Sequence, residues 1–219
     1  MYHLYKLLFI AFIWLLLSTL LGYPEFSYFN SFLQSCFMLF WSYAGHVLAH
    51  KVSVFYPITI LNTHISFHHD PVFKSKFSRW VDLSLEAFNN FMGFFIIYIF
   101  QKLFGLHIFS INIILYSAFL YIGLHIFYYS LTGNKYHAQH HITPDYNYSP
   151  EIFDIIFNTR KEYIEAIRSA SEDERLNTVT LVNEFDDISL VGEIFPAFIA
   201  FGLVLILNSL SITSVAHLR

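Results

Sequence analysis

The sequence predicts an all-α protein, an integral membrane helical bundle of four to five transmembrane helices carrying a histidine-rich cap on one side. Three observations carry that expectation. Hydrophobic residues make up 56% of the chain and charged residues only 13%, too few to cover the surface of an ordinary soluble domain. The apolar residues fall in runs long enough to cross a hydrocarbon core. The twelve histidines are gathered rather than scattered.

The first run, residues 4–21, is almost wholly apolar. A cleaved signal would have a shorter apolar core and a small-residue cleavage site, and Leu20-Leu21-Gly22-Tyr23-Pro24 offers none, so a retained anchor is expected. After that turn a second run covers residues 29–49 and carries His46 and His50 in its last turns. Residues 51–87 are polar. An aromatic-rich stretch follows, broken by Gln101, Lys102 and Gly105, which reads as two spans, 88–104 and 108–129, joined by a tight hairpin. Residues 130–187 are polar again, and within them 159–174 reads as a charged surface helix. Residues 188–212 are apolar but interrupted by Glu193 and Pro196, giving a fifth span or a segment lying partly in the interface. No Gly/Ser- or Pro-rich linker divides the chain, so residues 1–219 are expected to form one domain.

Charge sets the orientation. In the five-span arrangement Lys6, Lys51, Lys74, Lys76, Arg79, Lys135, Arg160, Lys161, Arg168 and Arg175 share one side, and only Lys102 and Arg219 fall on the other. The positive-inside rule then places the polar segments 51–87 and 130–187, with most of the histidines, in the cytoplasm. The net charge of -4 includes no basic block able to neutralise a row of phosphates, which argues against a nucleic-acid partner. A single cysteine, Cys36, excludes an intrachain disulfide and a cysteine-built zinc or iron-sulfur site.

Any metal must therefore be held by other side chains, and three histidine clusters offer them. His46 and His50, four residues apart, stack on one helical face. His64 and His68 repeat that spacing, with His69 alongside. His137, His140 and His141 place three rings on one side of a helical turn, and His125 stands alone at the end of the fourth span. A lone histidine near a helix end is usually a polar residue satisfied by a carbonyl or water, and His3, His107 and His217 are read that way. Three clusters on three segments are not explained so simply. Eight or nine neutral imidazoles exceed what one four-coordinate ion needs, so two ions are implied, making the cap a di-metal one. Structural zinc would normally recruit cysteine, whereas imidazoles suit iron that cycles between oxidation states, so two iron ions are expected.

On these residues the chain resembles the fatty acid hydroxylase and sterol desaturase superfamily of membrane di-iron oxygenases, whose pattern is H-x(3-4)-H, then H-x(2-3)-H-H, then a final H-x(2-3)-H-H. The stretch Asn147 to Thr159 also looks like the tail that follows the family's last box. The likeness covers roughly residues 40–160. Two features depart from the pattern: Tyr129 stands where many relatives carry the second ring of a further H-x-x-x-H begun by His125, and Phe153 and Asn158 replace the tail's Trp and Gly. The resemblance implies that the matched histidines ligate iron and that O2 is co-substrate, with hydroxylation of an unactivated carbon of a lipid-like substrate. Asn147 and Asp154 would fix the ligands from behind, or serve simply as capping and surface hydrogen-bonding groups. Relatives act on sterols, fatty acids, alkylglycerols and carotenoids.

With no dinucleotide fingerprint and no added haem or iron-sulfur segment, electrons are expected from a separate donor protein, a reductase, ferredoxin or cytochrome. Lys74, Lys76, Arg79, Arg160 and Lys161 would dock an acidic carrier or form an ordinary solvated surface. Competing readings are a membrane lipid desaturase, a non-catalytic membrane scaffold retaining a structural metal, and a metal transporter, whose ligands would line a pathway near the membrane midplane rather than cluster at span ends.

Overall fold

The computed structural model describes residues 2–52, 64, 69, 76–131, 134–161 and 190–216, and no strand occurs among them. In chain order the elements are α1 (Tyr2–Gly22), α2 (Tyr28–Val52), α3 (Lys76–Leu103), α4 (Ile111–Gly123) running directly into a π-helical segment (Leu124–Leu131), then α5 (Lys135–Ile142), α6 (Glu151–Ile156) and α7 (Leu190–Ala216). Four stretches are long and apolar enough to cross a membrane: Leu4–Gly22, Trp80–Leu103, Ile111–Tyr129 and Leu190–Ser211. The segment expected as the second span is helical and as long as the others, but Asn30, Gln34, three serines and two histidines dilute its apolar character, and it falls outside that set.

Two boundaries differ from expectation for physical reasons. The expected span 88–104 is the second part of a longer helix that begins at Lys76, because Asp82 and Glu86 continue the helix instead of marking a loop. The final segment is one 27-residue helix despite Glu193 and Pro196. The indole of Trp14 donates to the Glu193 carbonyl at 3.0 Å, binding that interrupted turn to α1. The surface helix expected at 159–174 lies outside the described residues beyond position 161.

Helix α4 is the axis of the bundle. One cluster of buried side chains joins Leu7, Ile10, Trp14 and Leu17 of α1 to Tyr116 and Leu120 of α4 and Ala197, Ala200 and Val204 of α7. A second joins Met38 of α2 and Phe94 of α3 to Ile113, Ile114, Ala118 and Tyr121 of α4. Gly123 and Gly192 permit the close fit to α7: a Cβ on Gly123 would stand 2.9 Å from the Pro196 side chain, and one on Gly192 would stand 2.3 Å from the Tyr128 ring. Small residues at such crossings are how membrane helices approach each other closely. Around this core Phe9, Phe12, Phe32, Ile96, Phe100, Phe198 and Ile206 point outward, an arrangement costly in water and natural in lipid.

Polar side chains secure one end. Gln101 accepts from the Ile108 and Phe109 amides at 2.8 and 2.6 Å, closing the α3–α4 hairpin, and Gly105 supplies the positive φ of 63° that this turn requires. Ser110 caps α4 by accepting from the Asn112 amide, and Gln34 of α2 accepts from the Ser110 amide. The α1–α2 turn reaches the same end, where His107 meets Glu25 at 2.8 Å. The remaining histidines described in detail gather at the opposite end, where α2 finishes and α4 becomes π-helical.

Candidate metal centre

His46 and His50 leave the last turns of α2 with ring centroids 5.1 Å apart, as their helical spacing requires. Beside them lies His64, whose Nε2 is 3.0 Å from Nε2 of His46 and 3.2 Å from Nε2 of His50. His69 packs edge-on against His50 and His140, with centroids 4.7 and 4.9 Å away. His140 arrives from α5, whose start is fixed by Asn134, accepting from the Tyr136 and His137 amides at 2.8 and 3.2 Å.

His46, His50, His64, His69 and His140 thus present ligand nitrogens all within 4.8 Å of one another, and such a group could hold a metal ion. The chemistry of the donor set fits one. Two imidazole nitrogens bound at about 2.1 Å to one ion and separated by about 90–110° lie about 3.0–3.4 Å apart, the separation His64 keeps from His46 and His50. His46, His64 and His140 are buried, and His50 and His69 are half-buried. Carbonyls behind the rings set their orientation: Nδ1 of His46 donates to the Tyr148 carbonyl, and Nδ1 of His140 to the Tyr146 carbonyl at 2.6 Å. With those nitrogens engaged, Nε2 of each is turned to the centre, the usual support for a metal-binding imidazole.

A second group shares His64. Its Nδ1 lies 3.0 Å from a carboxylate oxygen of Glu86 on α3, and Nε2 of His125 lies 3.4 Å from the same oxygen. His64, Glu86 and His125 form a buried triad that could also hold an ion. Glu86 is only 1% exposed and receives a further bond from Asn90, one turn along, at 3.3 Å. Reading the sequence in runs missed this residue, since it fell at the end of a stretch taken as polar. A single acid one turn before an apolar helix was the signal available.

His137 and His141 complete the nest. Their Nε2 atoms are 3.0 Å apart, His137 packs against His125 with centroids 4.8 Å apart, and His141 stacks on His69 at 4.6 Å. Of the nine histidines proposed from sequence, eight therefore share one end of the bundle, and the ninth, His68, lies outside the described residues. Those eight come from α2, residues 64 and 69, the π-helical segment and α5. Tyr129, which departs from the family pattern, stacks its ring on His137 at 4.8 Å and bonds its hydroxyl to Ser149 at 2.7 Å, so that oxygen is engaged away from the ligand groups. His107 is at the far end of the bundle, and the side chains of His3 and His217 lie outside the described residues.

The tail after α5 forms the floor of the site. Asn147, fully buried with φ 56°, donates through its amide to the Tyr136 and Lys161 carbonyls at 3.1 and 2.9 Å and accepts from the Lys161 amide at 2.6 Å. Asp154, also fully buried, accepts from the amides of Tyr148 and Ser149 at 3.1 and 2.8 Å, from the Thr159 hydroxyl at 2.5 Å and from the Tyr136 hydroxyl. Burial holds the Asp154 carboxyl above its ordinary range although these donors pull the other way, and burial and the neighbouring Asp154 lift the Tyr136 phenol well above its own. Both residues act through the backbone they fix, because the carbonyls of Tyr146 and Tyr148 orient His140 and His46. At the rim Lys51 pairs with Asp145 at 2.7 Å, and Arg160 pairs with Glu151 at 2.5 Å.

A cavity of about 460 Å³ adjoins the first imidazole group, with His46 and His64 in its wall and the rest of it running between α2 and α3. No protein-family model, curated protein or solved structure matches this chain, so the functional reading rests on the residues themselves.

Proposed function

We propose that this chain is an integral membrane di-iron oxidoreductase that hydroxylates a lipid-like substrate, with its metal site at the cytoplasmic face. The observation carrying the proposal is the convergence of imidazoles from separate segments at one end of an apolar bundle, beside a cavity lying between two helices. What two bound irons supply is the power to break an unactivated C–H bond with O2. The eight described histidines and His68 would hold the two ions, with Glu86 behind His64. The Tyr146 and Tyr148 carbonyls, held by the Asp154 and Asn147 networks, keep the rings aimed and the site rigid. The apolar wall of the cavity keeps water from the reacting carbon.

In each turnover one C–H bond becomes C–O–H, one atom of O2 enters the product and the other leaves as water. A separate donor protein supplies two electrons, and water supplies two protons. Arg160 and Lys161 beside the site would offer a surface for that donor, joined by Lys74, Lys76 and Arg79, whose side chains lie outside the described residues.

Lipid mass spectrometry of a host with and without the chain, under 18O-labelled oxygen, tests the proposal. The expected result is a lipid gaining one labelled oxygen atom, absent with His46→Ala and with His140→Ala. Undiminished product with both variants would overturn it.

A further inference from the structure

The cavity beside His46 and His64 has a shape that nothing in the histidine pattern implies. Two contacts onto α3 flank it. At the metal end, His64 between the helices reaches Glu86, and farther along the indole of Trp41 donates to the Gly93 carbonyl at 2.9 Å. Gly45 of α2, between those contacts, and Gly93 of α3, whose carbonyl makes the second of them, both line the space. A Cβ on Gly93 would meet nothing within 4 Å, and one on Gly45 would meet only the Trp41 ring at 3.9 Å. These glycines are therefore not there to let two helices touch. They leave room.

Glu86, Asn90 and Gly93 follow the i, i+4, i+7 pattern of one helical face, so a path along α3 leads from carboxylate to amide to bare backbone. Leu48 and Ile96 also line the cavity and are 52% and 54% exposed, which places its mouth on the apolar outer surface of the bundle. Among the described residues no Asp, Glu, Lys or Arg lines it. Away from the end where His46 and His64 stand, a phosphate or carboxylate head would find no charged side chain, whereas a hydrocarbon chain would meet Leu48, Met92, Phe94 and Ile96 beside the neutral Ser42, Asn89 and Asn90.

We propose that this slot is the binding site for the hydrocarbon chain of a membrane lipid, entered sideways from the lipid phase, and that Gly45 and Gly93 set its bore. The chain lies along the slot from His46 and His64 towards Trp41, and the carbon brought to the imidazoles is the one oxidised. The proposal rests on the di-iron reading for its chemistry, but the occupancy of the slot does not.

The test uses full-length protein in membranes and a palmitic acid carrying a photoactivated diazirine at its chain end, with labelled peptides mapped by mass spectrometry and metal content measured on the same samples. The expected label falls on residues 41–48 and 92–96. Gly93→Phe, filling the slot, should lower it by at least about ten-fold with metal content unchanged, and Gly93→Leu should lower it less. Gly202→Phe is the control, since a Cβ there also meets nothing within 4 Å but projects from α7. Label confined to α1 or α7, or undiminished in a metal-replete Gly93→Phe protein, would overturn the slot. Slot labelling in a protein that binds no iron would leave the slot standing and remove the di-iron reading.

Discussion

Nδ1 of His64 lies 3.0 Å from the carboxylate of Glu86, while its Nε2 faces His46 and His50 at 3.0 and 3.2 Å. One ring thus connects the all-imidazole group to the triad containing His125. A carboxylate behind a metal-binding imidazole fixes its tautomer and raises its basicity, and losing such a partner typically costs about 10–100-fold in metal affinity. Glu86→Ala should lower iron affinity by that order, and Glu86→Gln, which keeps an acceptor, by less. Metal titration of the purified variants measures this. Equal affinity in wild type and Glu86→Ala would mean that the carboxylate supports no ligand.

The second prediction separates histidines by place rather than number. His50→Ala and His69→Ala should each lower bound iron, since both rings belong to the first group. His107→Ala should leave it unchanged, since that ring meets Glu25 at the opposite end of the bundle. Elemental analysis of the three proteins distinguishes a shared centre from nonspecific binding by a histidine-rich chain.

Asp154 offers a test of the support beneath the site. Four donors converge on its buried carboxylate. Asp154→Ala strands them, and with each unsatisfied buried group costing about 1–3 kcal/mol the loss should be at least about 3 kcal/mol. A lower Tm in detergent, accompanied by reduced iron content, is expected. Asp154→Asn, retaining one acceptor oxygen, should fall between.

Tyr129 predicts the contrary pattern. Its hydroxyl is bound to Ser149 at 2.7 Å. Tyr129→Phe should therefore cost about 1 kcal/mol of stability, the ordinary value of one hydrogen bond, and leave iron content at the wild-type level. A fall in iron with unchanged Tm would make that oxygen a ligand.

The unequal legibility of these features in the sequence has physical causes. His46 with His50 and His137 with His141 were readable because a helix repeats every 3.6 residues, so a spacing of four declares a shared face before any fold is known. The apolar runs 4–21, 108–129 and 188–212 were readable for the same local reason. Glu86 was not, since Lys76, Arg79, Asp82 and Glu86 look like a loop until α3 is seen to bury that carboxylate against His64. Nor was the partner of Tyr129, because the π-helical turn at Leu124–Leu131 shifts the register that a regular helix would give. Gly93 sits unremarked in an aromatic run, and its meaning depends on Gly45 from a helix far away in sequence.

The most direct measurement is the iron content of the purified full-length protein beside a His46→Ala/His140→Ala double variant. About two irons per chain in the wild type, and far fewer in a double variant that still folds, is the predicted result. Iron no higher in the wild type than in the folded double variant, or a site filled by zinc with no oxygen-dependent product, would contradict it.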